Sequence, residues 1–372
     1  MKAVLLEADA VNHNDLSWEP LTDLVETRIF SNTTEEDKYE HIGDAEIVFL
    51  NKIKMGEEEF TKCPNIKYIG VCATGYNVID LEAARRHGVT VTNVPAYSTE
   101  SVAQLTWGLI LESVCHISMH NESVHKGDWV KSDIFCYWLA PVTELCGKTI
   151  GVVGYGNIGR RVCDVAKAFG MKVLVHTAHP EKYMVKSVGT QKTDGNLSAD
   201  NIASGGNAKD CGLSAGGNAS EGGLSNGGII SEDGLSAGDC TDIEFTDMDT
   251  LLSKSDIISL HCPLTNATER IINKTNIDKM KDGVVIINVS RGGLVDEKDL
   301  SDALTSGKVA AAGVDVVSVE PMLDDNPLLK APNITITPHM AWASIDARKR
   351  LVDVVAGNYK AYTEGRKENV VS

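Results

Sequence analysis

The chain lacks any apolar run approaching the roughly 18 residues that a membrane-spanning helix needs. Its first residues, "MKAVLLEADA", have too short an apolar part, and turn acidic too soon, for a secretory signal peptide. We therefore expect a cytoplasmic protein with no membrane partner.

No C-x-x-C pair occurs among the nine cysteines, which are scattered and odd in number. This pattern favours reduced, mostly buried thiols over a disulfide framework or a zinc site, so we expect no metal. Positive charge is also scarce, since 35 Lys and Arg face 52 Asp and Glu, for a formal net charge of −17. That balance argues against nucleic acid as a partner, and it means that an anionic substrate needs a locally positive site.

Strand-like and helix-like segments alternate along the 372 residues, a length that suffices for two domains. Helical spacing of apolar residues predicts a long helix over about 101–118 and a closing helix over about 344–363. Near-continuous apolar strands are typical of buried parallel sheets, and they read "DIISLHC", "GVVIINV", "VAAAGVDVV" and "ITITPH". The sequence therefore predicts an α/β architecture with two lobes.

A repeat of eleven residues interrupts this alternation from Ile202 onward, in units such as "IASGGNAKDCG" and "LSAGGNASEGG". One aliphatic residue per unit cannot bury enough surface to offset the backbone entropy of so many glycines. We predict a flexible Gly/Ser-rich insertion at about 190–239, on the surface near the expected adenosine site. A small solenoid or a binding lid is the alternative interpretation.

A glycine loop lies between an apolar strand and a helix-patterned segment, in "TIGVVGYGNIGRRVCDVAKAF". Gly154 allows the tight turn, Gly156 lets the backbone approach a pyrophosphate, and Gly159 lets the helix pack against the strand. The phosphates would then lie at the N-terminus of the helix, among free N–H groups. The order strand, glycine loop, helix predicts a dinucleotide site.

The next strand ends without the acid that usually holds the ribose hydroxyls of NAD. His176 and Thr177 stand there instead, with His179 and Lys182 just beyond. A carboxylate at this position would repel the 2′-phosphate of NADP, so without one the site no longer excludes NADP by charge. Thr177 can still form a hydrogen bond with a ribose hydroxyl. We favour NAD(H) as the cofactor and leave NADP(H) open.

Three polar residues close or follow buried strands: Arg291 in "INVSRGG", Glu320 in "GVDVVSVEP" and His339 in "ITPHMAW". Each has a structural alternative, as a helix-cap salt bridge, a turn acid or a core histidine. Together they suit hydride transfer to a 2-keto acid, because a guanidinium binds a carboxylate bidentately and an imidazole donates a proton to the forming alkoxide. The carboxylate would keep that imidazole protonated.

The chain resembles the D-isomer-specific 2-hydroxyacid dehydrogenases, over nearly all of its length except the repeat. The resemblance rests on "IKYIGVCATGYNVIDLEAARRHGVTVTNVPAYSTESVAQLTWGLILE", "LCGKTIGVVGYGNIGR", "SDIISLHCPLTNATERIIN", "VIINVSRGGLVDE", "AAGVDVVSVEP", "NPLL" and "ITPHMAWAS". The motifs "FCYW" and "HMAW" place it near the glycerate dehydrogenase (hydroxypyruvate reductase) branch.

The resemblance implies a role for each matching residue. Arg291, Glu320 and His339 match the catalytic trio, and Ala73, Thr74, Gly75, Trp138 and Trp342 match the substrate site. The matches to the cofactor site are Thr106, Gly154, Gly156, Asn157, Ile158, Gly159, His176, Thr177, Cys262, Pro263, Val289, Ser290 and Asp315.

It also implies two Rossmann-like doubly wound domains. Residues 1–103 and 338–372 would form a flavodoxin-like substrate domain, and residues 104–337 the NAD(P)-binding domain, with hinges near Ser101 and Pro338. The expected protein is a homodimer that reduces hydroxypyruvate to the D-2-hydroxy acid, with glyoxylate as a second candidate substrate. Two alternatives stay open: an NADH-sensing corepressor on the same fold, and a phosphoglycerate dehydrogenase without its regulatory domain.

Overall fold

The computed structural model describes residues 1–183 and 243–372, and the insertion predicted at about 190–239 lies outside them. The described residues form two sheets in which every neighbouring pair of strands is parallel. The first sheet contains β1 (Ala3–Leu5), β2 (Thr27–Ile29), β3 (Ile47–Leu50), β4 (Tyr68–Val71) and β5 (Thr90–Thr92). The second contains β6 (Thr149–Val153), β7 (Lys172–His176), β8 (Ile243–Phe245), β9 (Ile257–Leu260), β10 (Val284–Asn288), β11 (Val309–Val314) and β12 (Ile334–Ile336).

The strand orders identify both sheets as doubly wound. The first runs β2-β1-β3-β4-β5, which is the flavodoxin-like order, and the second runs β12-β11-β10-β9-β6-β7-β8, which is the Rossmann order with a seventh strand. The predicted fold class of two Rossmann-like α/β domains is confirmed. In the second sheet the order reverses between β6 and β9, and the crevice at such a reversal is where open α/β sheets bind ligands.

Helices connect the strands, as parallel pairing requires. They are α1 (Glu19–Thr22), α2 (Lys38–Ile42), α3 (Glu57–Lys62), α4 (Leu81–Arg86), α5 (Thr99–Cys115), α6 (Ile117–His125), α7 (Asn157–Ala168), α8 (Met248–Lys254), α9 (Lys274–Lys279), α10 (Glu297–Ser306) and α11 (Ile345–Thr363). In the described part of the chain, no helix combines the length and apolar character needed to cross a bilayer.

The two predicted long helices, α5 and α11, lie close to their expected bounds. Helix α11 begins after Ser344, whose hydroxyl accepts a hydrogen bond from the amide of Ala347 at 3.2 Å, as an N-cap residue does. Its apolar face packs against residues distant in sequence: Leu351, Val355 and Tyr359 lie in one buried cluster with Leu5 of β1. The end of the chain therefore completes the core of the first sheet.

Helix α5 covers the second sheet instead. Its Leu109 and Ile110 are buried in one cluster with Val152 of β6 and Ile287 of β10. The hydroxyl of Ser101, near the start of α5, donates a hydrogen bond to the carbonyl of Ala341 at 2.6 Å. The two segments predicted as hinges are thus joined directly, although the domain boundaries themselves remain a prediction.

Candidate active site

A cleft of about 730 Å³ lies at the carboxyl ends of strands from both sheets. This volume is in the usual range for small-molecule sites. Of the predicted site residues, the cleft is lined by Ala73, Thr74, Gly75, Gly156, Asn157, Ile158, Val289, Ser290, Arg291, Asp315, Glu320, His339 and Trp342. Residues far apart in sequence meet there because each follows a strand that ends at the same edge of its sheet.

His339 and Glu320 form an ion-pair geometry at this cleft. The His339 Nδ1 atom lies 2.6 Å from Glu320 Oε2, and each side chain is about one-third exposed, at 34% and 37%. Glu320 Oε1 also accepts the amide of Val317 at 3.2 Å. With Nδ1 directed to the carboxylate, Nε2 is the ring atom left to act on a ligand.

The segment around His339 is held in a conformation that L-residues rarely adopt. His339 itself has a φ of 53°, in the left-handed region. The carboxylate of buried Asp315 holds this segment, because it accepts hydrogen bonds from the Thr337 hydroxyl and from the amides of Met340 (2.9 Å) and Ala341 (2.8 Å). Burial raises the pKa of Asp315. Strain held in this way by surrounding contacts is common at functional sites.

Arg291 lies opposite the loop that follows β4. Its Nη1 donates to the carbonyl of Ser290 at 2.7 Å, while a Cβ placed on Gly75 would lie 3.6 Å from Nη2. The loop is fixed by Thr74, whose hydroxyl donates to the carbonyl of Val94 at 2.7 Å. A guanidinium facing a loop with exposed backbone is suited to bind a carboxylate.

Gly292, directly after Arg291, leaves no room for a side chain. A Cβ at this position would collide with the backbone of Val317 and Ser318. Backbone atoms cannot yield as a flexible side chain can, so we expect Gly292→Ala to destabilise the fold by about 3 kcal/mol or more, at the upper end for overpacking. Thermal unfolding measures this.

Gly357 provides the matched control. It lies within α11, and a Cβ there would meet nothing within 4 Å. Alanine in a helix interior is favoured over glycine by about 0.5–1 kcal/mol, so Gly357→Ala should raise the melting temperature slightly. Equal melting temperatures for the two variants would contradict the close packing inferred at Gly292.

The glycine loop has the shape that a dinucleotide requires. A Cβ on Gly154, whose φ is +101°, would lie 2.6 Å from the carbonyl oxygen of His261, and one on Gly159 would collide with the carbonyl of Gly154. Beside Gly156, in contrast, the described structure leaves open space within 4 Å. Gly156 is the N-cap residue of α7 and has no side chain to bond the free amides of the first helical turn. These residues therefore fit a pyrophosphate.

Several predicted residues do not line the cleft. Thr106 is fully buried and its hydroxyl donates to the carbonyl of Val102 at 2.7 Å, while Trp138 is 72% exposed on another segment. His176, Thr177, Cys262 and Pro263 also lie outside the lining. Burial raises the pKa of Cys262 to about 11, so its thiol stays protonated.

The structure adds residues that sequence reasoning missed. Lys52 and Asn51 line the cleft, and so does His261. Asn51 and Lys52 follow β3 just as Arg291 follows β10. They were predictable from the sequence, because residues that follow parallel strands lie at the ligand-binding edge of the sheet. Burial lowers the pKa of His261 to about 3, and Nε2 of its neutral ring lies 2.8 Å from the Ser259 hydroxyl.

Known proteins match the chain over this same architecture. A model described as "D-isomer specific 2-hydroxyacid dehydrogenase, NAD binding domain" matches residues 107–199 and 233–341, more than half of the chain. A hydroxypyruvate reductase of Blautia hydrogenotrophica is 42% identical over the full length of both proteins. The chain belongs to the D-isomer-specific 2-hydroxyacid dehydrogenase family. The predicted family and the glycerate dehydrogenase-like branch are thereby confirmed.

Other members support the same placement of this dehydrogenase. A glycerate dehydrogenase of Methylorubrum extorquens is 34% identical over 92% of this chain and 90% of its own. The crystal structure of an Aquifex aeolicus D-lactate dehydrogenase, complexed with NAD and lactic acid, is 26% identical, with a TM-score of 0.70 over 100% of this chain and 99% of the other. The dehydrogenase is thus an oxidoreductase acting on the CH–OH group of 2-hydroxy acids.

Proposed function

We propose that the dehydrogenase reduces hydroxypyruvate, and more slowly glyoxylate, to the D-2-hydroxy acid. The observation that carries this proposal is the His339–Glu320 pair in the same cleft as Arg291. A proton donor and a carboxylate-binding guanidinium are the two groups that reduction of a 2-keto acid requires from the protein. The identity of 42% to a protein named hydroxypyruvate reductase favours this substrate.

Each member of the trio has a separate task. Arg291 binds the substrate carboxylate and polarises the keto oxygen, with the backbone of Ala73, Thr74 and Gly75 on the other side. His339 donates the Nε2 proton to that oxygen as it gains charge. Glu320 orients the imidazole through Nδ1 and stabilises the imidazolium before transfer. Gly154, Gly156 and Gly159 would hold the pyrophosphate of the dinucleotide, whose reduced nicotinamide would supply the hydride to the keto carbon, so that one hydride and one proton complete the alcohol.

Initial rates with purified protein test the proposal directly. We expect saturable oxidation of NADH with hydroxypyruvate, and a lower rate with glyoxylate. Turnover only with the 3-phosphate of hydroxypyruvate would favour the phosphoglycerate dehydrogenase alternative. Tight NADH binding without turnover of any 2-keto acid would favour the sensor.

The end of β7 supports NADH as the preferred cofactor. His176 Nδ1 lies 3.1 Å from the carbonyl oxygen of Thr246, an acceptor, so Nδ1 carries the proton. With Nδ1 engaged in this way, Nε2 is the ring atom left to meet a ribose 2′-hydroxyl. Thr177, the next residue, is half-buried and offers a hydroxyl.

Thr177→Asp is expected to lower kcat/KM with NADPH at least tenfold while changing the value with NADH little, because a carboxylate repels the 2′-phosphate. Thr177→Asn is the matched control, with similar size and no charge. Steady-state rates with both cofactors measure the change. No loss with NADPH would place Thr177 away from the ribose, and an equal loss with both cofactors would contradict selective repulsion of the 2′-phosphate.

We further propose that the dehydrogenase is a homodimer joined through residues 117–142, here called the apolar arm. Val130, Phe135 and Ile134 are 89%, 88% and 63% exposed, respectively. The arm also exposes Ile117, Met119, Val124, Trp129, Trp138, Leu139 and Val142. So large a patch on one segment marks an interaction surface, and a second copy is the commonest partner. In such a dimer, Trp138 on the arm of one copy would contact the substrate bound to the other copy.

Phe135→Asp combined with Val130→Asp is expected to yield monomers, because a dimer would bury two carboxylates per subunit. Light scattering after size exclusion measures the mass. Leu24→Asp, at a 43% exposed apolar residue outside the arm, should remain dimeric. A wild-type monomer would refute the dimer proposal.

The remaining expectations are compatible with this assignment. All seven cysteines within the described ranges are free thiols, which supports a cytoplasmic location. The proposed division into residues 1–103 with 338–372 and residues 104–337 agrees with the separate sheets. Closure of the cleft about Ser101 and Pro338 would exclude water from the substrate.

A further inference from the structure

We infer that Lys52 binds an oxygen substituent on C3 of the keto acid and so sets the preference for hydroxypyruvate over shorter substrates. The inference rests on the proposed function and extends it to a residue outside the catalytic trio. Lys52 is an exposed residue that lines the same cleft as Arg291 and His339.

Buried Glu7 holds the loop that carries Lys52. Its Oε2 accepts hydrogen bonds from three successive amides, those of Asn51 (2.8 Å), Lys52 (2.8 Å) and Ile53 (3.1 Å). The Asn51 side chain then donates to the carbonyl of Cys72 at 2.9 Å, which ties this loop to the end of β4. Lys52 is therefore anchored, through its backbone, beside the loop proposed to hold the substrate carboxylate.

The ammonium of Lys52 makes no ion pair and no hydrogen bond within the described ranges. The two acids that line the cleft are already engaged, Glu320 by His339 and Asp315 by the segment from Thr337 to Ala341. In a protein of net charge −17, a cation that faces a cleft without a carboxylate partner is available to a ligand.

The shape of a keto acid gives this cation a task. The keto carbon carries three substituents: its oxygen, the carboxylate and C3. Arg291 and His339 take the oxygen, and Arg291 with the loop after β4 takes the carboxylate. C3 is left to face the remaining wall, where Lys52 is the only charged residue of the described lining that has no other role. An ammonium donates to the C3 oxygen of hydroxypyruvate or of its phosphate ester, and glyoxylate has no C3.

Lys52→Met removes the charge and keeps much of the length of the side chain. We expect kcat/KM for hydroxypyruvate to fall by about tenfold to a hundredfold, the loss for one hydrogen bond to a charged group, while kcat/KM for glyoxylate stays within twofold. Lys52→Arg should recover much of the hydroxypyruvate activity. Lys54→Met is the matched control, because Lys54 is exposed two residues away and does not line the cleft.

Glyoxylate serves as the internal reference for folding and for the proposed function. If the wild type reduces neither substrate, the proposed function fails. If it reduces both and Lys52→Met affects them equally or not at all, the inference about Lys52 is overturned while the function stands. The 3-phosphate of hydroxypyruvate separates the two C3 oxygens: a larger loss with the ester than with the hydroxyl assigns Lys52 to a phosphate.

Discussion

Replacing His339 by glutamine is expected to lower kcat with hydroxypyruvate by about a thousandfold, within the range that general acid catalysis contributes. Glutamine fills a similar volume and can still hydrogen-bond Glu320, but its amide N–H is not acidic enough to transfer a proton to the forming alkoxide. Binding of NADH, measured by fluorescence titration, should change less than twofold, because His339 lies on the segment after β12 and not at the glycine loop.

A histidine elsewhere controls for the substitution itself. His13 is exposed and lies outside the cleft, so His13→Gln should retain wild-type kcat. Glu320→Gln should lower kcat less than His339→Gln does, because it removes only the charge that orients and stabilises the imidazole. Turnover of His339→Gln near the wild-type rate would exclude this residue as the proton donor.

Replacing Arg291 by alanine is expected to reduce kcat/KM with hydroxypyruvate by about a thousandfold or more, through both a higher KM and a lower kcat. The guanidinium binds the carboxylate in the ground state and the charged oxygen in the transition state. Arg291→Lys keeps the charge but loses the planar pair of donors, so it should remain strongly impaired.

Added guanidinium ion offers a readout specific to a catalytic role. It should partly restore the activity of Arg291→Ala and leave that of Arg291→Lys unchanged. Arg366→Lys, at an exposed arginine that pairs with Glu364, is the control and should behave as wild type. Full activity of Arg291→Lys would mean that a point charge suffices and that the bidentate geometry proposed here is wrong.

Much of this architecture could be predicted because local sequence determines it. Parallel strands buried on both faces leave apolar runs such as "GVVIINV", and the residue after each run must lie at the ligand edge of the sheet. The same rule brings Arg291 and His339 together without any knowledge of the loops. Gly154 and Gly159 were predictable because no side chain fits at either position.

The parts that could not be predicted depend on contacts distant in sequence. Nothing in the sequence near Lys52 indicates that its amide donates a hydrogen bond to Glu7, which lies 45 residues earlier in the chain. Thr106 matches a family pattern for a cofactor contact, yet its hydroxyl donates to a carbonyl within its own helix. The pattern alone therefore could not show whether Thr106 faces the cleft. The exposure of Trp138 likewise follows from the course of the arm and not from its motif.

The packing of α11 against the first sheet has a consequence for synthesis on the ribosome. Strands β1 and β3 are translated long before α11, but the apolar face that covers Leu5 and Phe49 is supplied by Leu351 and Tyr359 of α11. The second sheet is continuous apart from the insertion and is fully translated before α11 appears. The core on this face of the first sheet is therefore completed only after the second sheet has been translated, and Leu5 and Phe49 stay uncovered until α11 is made.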